Sequence, residues 1–144
     1  MRVNRSTENV VIRYCLARQV NRLTPHYCKI YARDLIIENS SRFIKVVSIP
    51  ESPLNDFLIE NAEVNCKELI RLHDAVGVTL RNINVNSEDG LIGLLDSRYV
   101  LFDRVNFETE VPLQTKVKGN LCGDIRFKDC SPEKPEGWPG PCIN

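Results

Sequence analysis

The sequence predicts an all-β protein, a single-stranded right-handed parallel β-helix of about six coils. The first observation is the segment at residues 78–85, VTLRNINV, whose apolar residues are spaced by two, three and two positions. A strand would alternate strictly, and a helix would repeat every three or four residues. The segment therefore predicts two short strands joined by a bend at Arg81-Asn82, where Asn tolerates a left-handed backbone conformation.

The second observation is that this pattern recurs along the chain. Six segments carry it, and they begin at residues 10, 30, 57, 78, 100 and 125. Repetition at such intervals is typical of a solenoid, in which each unit buries its apolar face on its neighbours. The predicted bend position is occupied in turn by Tyr14, Asp34, Asn61, Asn82, Arg104 and Asp129.

A third strand is predicted in each coil, which makes the β-helix three-sided. The segments ELIRLHDA and GLIGLLDS align at an offset of 22 residues, so that Asp74 lies opposite Asp96 and both are predicted to be turn residues. The two prolines in residues 48–54 predict a protruding loop in the second coil. A leucine-rich repeat has a similar period, but here Asn82 directly follows the strand and the return segments are apolar and β-branched.

The chain is predicted to consist of three parts. Residues 1–8 are a polar lead-in, residues 9–130 form the parallel β-helix, and residues 131–144 are a Pro-rich C-terminal cap in which Trp138 covers the end of the solenoid. The first coil has no equivalent cap. We therefore expect either that further coils precede Met1, or that the open N-terminal face stacks on another copy in a homo-oligomer.

Composition excludes several classes of partner. The formal net charge is zero and the basic residues are scattered as singles, which argues against nucleic-acid binding. No apolar run approaches the roughly 18 residues that span a bilayer, so no membrane partner is predicted, and the first ten residues lack the apolar core of a signal peptide. The six cysteines include no C-x-x-C pair, so neither a metal nor a cofactor is predicted.

The cysteines are predicted to have structural roles. Cys15 and Cys130 occupy inward positions of the repeat, where a free thiol packs as a small apolar group. Cys122, Cys130 and Cys142 cluster near the C-terminus, and one disulfide among them would hold the tail in place.

Residues 24–85 resemble the C-terminal coils of the polygalacturonase family, family 28 of the glycoside hydrolases in the pectin lyase-like superfamily. Pro50-Glu51-Ser52-Pro53 resembles a Pro-Glu-Met-Pro loop of that family, and residues 73–85, HDAVGVTLRNINV, resemble the Asp-x-x-Gly-Ile-x-Leu-x-Asn-Val step that follows it. The resemblance implies a pectic or uronic-acid polysaccharide as partner. It implies that the chain is the C-terminal part of a pectin-type hydrolase; the alternative is a non-catalytic β-helix that binds glycan or protein.

The catalytic motifs of the family are not carried over. Its Asn-x-Asp, Asp-Asp and Gly-His-Gly motifs have no intact counterpart in this sequence, so no catalytic residue is assigned and activity of the chain on its own is not expected. The family also binds the sugar carboxylate with an Arg-x-Lys motif. The candidate for it is Arg2, in Arg2-Val3-Asn4, where Asn stands in place of Lys.

Two carboxylates in the repeat have a spacing that could suit hydrolysis. Glu60 and Asp103 are predicted to face outward two coils apart, roughly 10 Å on the strand spacing, which is near the separation of an inverting acid and base. Arg81 lies between them and would keep both ionised, so a solvated charge ladder is the preferred interpretation. His73 is interpreted as a structural hydrogen-bonding residue.

Overall fold

The structure, a computed structural model, describes the backbone of residues 2–3 and 10–13 and all atoms of residues 26–133 and 135. Its described part is all-β. The strands are β1 (Arg2–Val3), β2 (Val10–Arg13), β3 (Cys28–Val47), β4 (Leu54–His73), β5 (Ala75–Ser87), β6 (Leu91–Leu95), β7 (Arg98–Thr109), β8 (Gln114–Lys118) and β9 (Gly123–Lys128). A search of these residues for a helix long and apolar enough to cross a membrane finds none.

The chain winds as a parallel β-solenoid, which confirms the predicted fold class. Its described part makes about four turns, fewer than the six coils predicted. All eight pairings between the named strands are parallel. The register places Ile30 beside Phe57, Phe57 beside Val78, Val78 beside Val100, and Val100 beside Ile125. Five of the six predicted segments therefore stack one on another in the predicted order.

Each turn has three faces, because the long strands bend at the corners. Face A is formed by residues 30–33, 57–60, 78–81, 100–103 and 125–128. Face B is formed by residues 35–37, 62–66, 83–87 and 105–109, and face C by residues 44–47, 70–73, 92–95 and 115–118. The three-sided coil predicted from the sequence is thus correct.

The first predicted segment was placed in the wrong register. Val10 pairs with Ile44 on face C rather than with Ile30 on face A, and Arg2 in the predicted polar lead-in already pairs with Ile36 on face B. Apolar alternation is common to all three faces, so it cannot by itself tell which face a short strand joins. Tyr14 and Cys15 lie outside the described residues.

The core runs through the middle of the solenoid as columns of inward side chains. One column contains Ile59, Leu80, Phe102 and Phe127; the first three have no exposed surface, and the rings of Phe102 and Phe127 stack with centroids 4.5 Å apart. Burying each such side chain is worth about 1.5–3 kcal/mol. Because each turn covers the previous one, the core is a continuous stack with successive turns about 4.8 Å apart.

The corners between faces are columns of left-handed residues. At the corner between faces A and B, the bend column, the five described residues of the predicted bend all have positive φ: Asp34, Asn61, Asn82, Arg104 and Asp129. Within this column Asn61 Nδ2 donates to Asp34 Oδ1 at 3.2 Å, and Asn82 Nδ2 donates to Asn61 Oδ1 at 2.7 Å. Asparagine therefore stabilises the bend in two ways: it tolerates the left-handed conformation, and its side-chain amide forms a hydrogen bond with a neighbouring turn.

The ends of the solenoid are only partly described. Ser131 continues face B, where its amide donates to Val105 O at 3.1 Å and its carbonyl accepts from the Phe107 amide at 2.8 Å. Trp138 lies outside the described residues, so its role as a cap remains a prediction. Among the described strands none pairs with the first edge of residues 30–33, and self-association at this end likewise remains a prediction.

Candidate functional site

A ladder of alternating charge runs along the outside of face A. The same outward position on the five stacked strands of face A is occupied by Arg33, Glu60, Arg81, Asp103 and Lys128. Because parallel strands in register repeat the same position at about 4.8 Å, each charge lies next to opposite charges on the neighbouring turns. Opposite charges on adjacent strands attract and stabilise the stack.

Arg81 is the centre of this charge ladder. Its Nε donates to Asp103 Oδ2 at 3.0 Å, and its Nη1 lies 3.9 Å from Glu60 Oε1. Asp103 is also contacted from the bend column, since Arg104 Nε lies 3.4 Å from Asp103 Oδ1. The predicted arrangement, with an arginine between two carboxylates, is therefore confirmed.

The expected solvation of Asp103 is wrong. Although its side chain leaves the strand on the outer face, only 6% of the residue is exposed. The long side chains of Arg81 and Arg104 both reach this carboxylate and shield it from water. Its outward position was visible in the sequence, but its burial depends on how the neighbouring arginines lie.

The pKa of Asp103 is lowered. Burial alone would raise it, but the hydrogen bond from Arg81 and the positive charges of Arg104 and Lys128 outweigh that effect. A general acid for glycoside hydrolysis needs a raised pKa, so that it still carries its proton near neutral pH. Asp103 is therefore suited to ion pairing and does not fit the role of acid in a pair with Glu60.

Aromatic and aliphatic side chains lie beside the charge ladder. Tyr31, Leu58, Thr79 and Leu101 occupy the second outward column of face A. Tyr31 is 65% exposed and lines a shallow depression of about 320 Å³ together with Arg33, Leu58 and Glu60. The ring thus presents an accessible apolar surface next to charged groups.

The other described tyrosines are also near this face. Tyr27 precedes the first strand of face A, and Tyr99 precedes the strand 100–103; both are exposed. Tyrosine is enriched at binding interfaces relative to the rest of a protein surface. Face A therefore combines aromatic rings, cations and hydrogen-bond acceptors.

Faces B and C differ from face A in charge. Among the residues whose side chains are described, the outward positions of face B carry no lysine or arginine; they are Ile36, Glu63, Asn84, Asn106, Glu38, Asn65, Asn86 and Glu108. Arg2 aligns with Ile36 in the same column by its backbone. The corresponding positions of face C are Lys45, Arg71, Gly93, Lys116, Val47, His73, Leu95 and Lys118, which include no carboxylate. The alternating signs are therefore a property of face A.

Arg2, the carboxylate-binding candidate, is placed by its backbone alone. It lies in β1 opposite Ile36, on the first edge of face B rather than on face A. The structure describes nothing of its side chain, so its role remains a prediction.

The turn and hydrogen-bonding residues behave as predicted in part. Asp74 and Asp96 both have positive φ at the corner between faces C and A, and Asp96 Oδ1 accepts from the Leu121 amide at 3.1 Å. His73 is half-buried, and its backbone carbonyl accepts from Ser48 Oγ at 2.8 Å. The hydrogen bond that supports a structural role for His73 is thus made by its backbone carbonyl.

The four described cysteines are all free thiols. Cys122 and Cys130 do not form the disulfide considered from the sequence, and Cys130 is buried as predicted; Cys142 lies outside the described residues. Cys66 is also buried, and burial raises the pKa of its thiol to about 11. Within the described residues no group of three metal-ligating side chains is close enough to hold an ion.

Sequence reasoning did not single out Arg104 as a site residue. Four of the five described positions of the bend column are Asp or Asn, and Arg104 is the departure. A second left-handed column at the start of face A was also missed; it contains Lys29, Asp56, Gly77, Tyr99 and Asp124. Asp56, Gly77 and Asp124 favour this conformation, but Lys29 and Tyr99 do not, so the column was not recognised as a bend.

Comparison of the chain with models of protein families, with curated proteins and with solved structures finds no match.

Proposed function

We propose that this chain binds an extended, carboxylated polysaccharide of the pectic uronic-acid class along face A, as the C-terminal coils of a polygalacturonase-type β-helix. The observation that carries the proposal is the charge ladder on face A with the exposed Tyr31 beside it. The resemblance of residues 24–85 to that family supports the same substrate class.

The chemistry of face A suits such a polymer. Exposed cations such as Arg33 form charge-assisted hydrogen bonds with carboxylates, and the guanidinium plane matches a carboxylate with two parallel bonds. The oxygen atoms of Glu60 accept hydrogen bonds from sugar hydroxyls. Tyr31 and Leu58 provide an apolar surface for the C–H groups of a sugar ring. A polymer lying across several turns would meet a related set of groups on each.

The described residues support binding rather than cleavage. Arg81 engages both Glu60 and Asp103, and Asp103 has a lowered pKa, so neither a free base nor a protonated acid is in evidence on this face. In our proposal, face A holds the polysaccharide and the acid and base of hydrolysis are not among the described residues.

Affinity electrophoresis tests this proposal with polygalacturonate in the gel, and with neutral dextran as the matched polymer. We expect the purified chain to migrate more slowly in a gel that contains polygalacturonate, and we expect dextran to leave its migration unchanged. Tyr31→Ala should weaken the retardation about tenfold, since it removes the largest exposed apolar surface of the face. Lys116→Ala removes a cation from face C and should leave the retardation unchanged.

Two results would count against the proposal. Equal retardation by dextran would show that the carboxylates of the polymer are not recognised, and equal loss in the Lys116→Ala variant would show binding by general charge. An assay for reducing ends should detect no hydrolysis of polygalacturonate. Hydrolysis that disappears in Glu60→Gln would instead assign catalysis to the ladder.

A further inference from the structure

Arg104 occupies a backbone conformation that its residue type disfavours. Its φ is 54°, in a column where the other described residues are Asp34, Asn61, Asn82 and Asp129. A long side chain in the left-handed region is an outlier, and such outliers are found preferentially at functional sites. Asparagine at this position would fit the backbone better.

Arg104 also interrupts the hydrogen bonds of the bend column. The amide groups of Asn61 and Asn82 bond from turn to turn, and this series stops at Arg104. Its guanidinium instead reaches face A, where Nε lies 3.4 Å from Asp103 Oδ1 while 57% of the side chain stays exposed. The remaining guanidinium nitrogens are thus accessible to a ligand from solvent.

Asp103 provides a second, independent observation. Its carboxylate is more than nine-tenths buried, and among the described residues Oδ1 has no hydrogen-bond partner, whereas Oδ2 accepts from Arg81. This oxygen lies 3.4 Å from Nε of Arg104, so its negative charge attracts the guanidinium and favours the direction in which that side chain lies.

Lys128 is the second exposed cation beside Asp103. It is the register partner of Asp103 on the next turn, it is exposed, and it forms no salt bridge with a described residue. Asp129, the nearest carboxylate along the bend column, forms no salt bridge with Arg104 or Lys128 either. Two cations therefore flank one carboxylate that Arg81 already bonds.

We propose that Arg104 and Lys128 form an anion-binding subsite at the C-terminal end of face A, which takes the carboxylate of one uronic-acid residue, and that Asp103 is a positioning residue for Arg104. The identity of the anion as a sugar carboxylate rests on the proposed function. The subsite itself rests on the geometry of these three residues.

The variant Arg104→Asn separates ligand binding from folding. Asparagine restores the residue type that the bend favours, and this gain offsets the lost ion pair with Asp103, so the thermal midpoint of unfolding should change little. The affinity for polygalacturonate should fall about tenfold, because one charge-assisted contact is lost. Arg104→Lys keeps the charge and should recover part of that affinity. Lys116→Asn on face C is the matched control and should bind as the unmodified chain does.

Each outcome of this experiment decides the inference. Unchanged affinity in Arg104→Asn, or a fall in the midpoint of unfolding together with the affinity, would overturn it, because the role of Arg104 would then be absent or only structural. If the unmodified chain does not bind polygalacturonate, the proposed function fails. The subsite is then tested with free galacturonate against galactose, which has a hydroxymethyl group in place of the carboxylate. Stabilisation by galacturonate that Arg104→Asn abolishes supports the subsite, and its absence overturns it.

Discussion

Asp74 and Asp103 are the same residue type in two opposite electrostatic environments. Burial and the nearby charge of Asp96 raise the pKa of Asp74, whereas Asp103 is buried but has a lowered pKa because Arg81, Arg104 and Lys128 favour its charged form. Both residues lie at or near corners of the solenoid. Their difference comes from the charge of the neighbours, since desolvation acts in the same direction on both.

These two pKa shifts predict opposite effects on the pH dependence of stability. Because the pKa of Asp103 is lowered in the folded chain, this residue adds stability at pH values above its ordinary pKa, which is near 3.8. This contribution is lost as the pH falls through the folded-state pKa. Urea unfolding between pH 7 and pH 3 should therefore show a smaller acid loss in Asp103→Asn than in the unmodified chain.

The raised pKa of Asp74 works in the other direction. The folded chain holds this proton more tightly than the unfolded chain, so the contribution of Asp74 is largest in acid and is lost as the pH rises through the folded-state value. Asp74→Asn should remove that loss and favour the folded chain at neutral pH relative to acid. The same direction of change in both variants would contradict the assigned environments.

The corners are the elements that turn alternating strands into a three-sided coil. Asp74, Asp96 and Gly119 occupy equivalent positions between faces C and A, and all three have positive φ. Gly119 has a φ of 96°, and a Cβ built there would lie 2.0 Å from Asp96 Oδ1, the atom that accepts from the Leu121 amide. A side chain at this position would both strain the backbone and displace that hydrogen bond.

Gly119→Ala should therefore cost about 2–3 kcal/mol of unfolding free energy. Gly93→Ala is the matched glycine substitution: its added Cβ would lie 3.0 Å from Cδ of Arg71, the middle of a flexible side chain that can move. We expect its cost to stay within about 1 kcal/mol. Urea denaturation measures the unfolding free energy of both variants. Equal stability of Gly119→Ala and the unmodified chain would show that this corner does not require a glycine.

The sequence predicts some of these structural elements, and there are physical reasons why it does not predict the others. The bend column was predictable because left-handed conformation favours Asn and Asp, as at Asn61 and Asn82. The column containing Lys29 and Tyr99 was not predicted, because these two residues lack that preference and interrupt the series of Asp56, Gly77 and Asp124. The face joined by Val10 was not predictable either, since apolar alternation is the same on all faces.

The candidate site was predictable in the same limited way. Register alone places Glu60, Arg81 and Asp103 in one column, so the charge ladder follows from the repeat. The burial of Asp103 and the approach of Arg104 do not follow, because they depend on how long side chains lie over the surface.

At the scale of the whole molecule, the solenoid presents three chemically different surfaces around one core. Face A alternates in sign and has exposed tyrosines, face B carries amides and carboxylates, and face C carries lysines. Parallel stacking causes this separation, because each outward position is repeated on one face in every turn. A polyanionic ligand should therefore avoid face B, and binding to the lysines of face C is the outcome that competes with our proposal for face A.

The most direct test of the proposed function is a titration of the ¹⁵N-labelled chain with oligogalacturonate, followed through the backbone amide resonances. We predict that the shifts concentrate on face A, at residues such as Arg33, Arg81 and Lys128, and that Asn84 on face B and Lys116 on face C stay unchanged. Shifts confined to face B or face C, or no shifts at saturating oligogalacturonate, would contradict polysaccharide binding along face A.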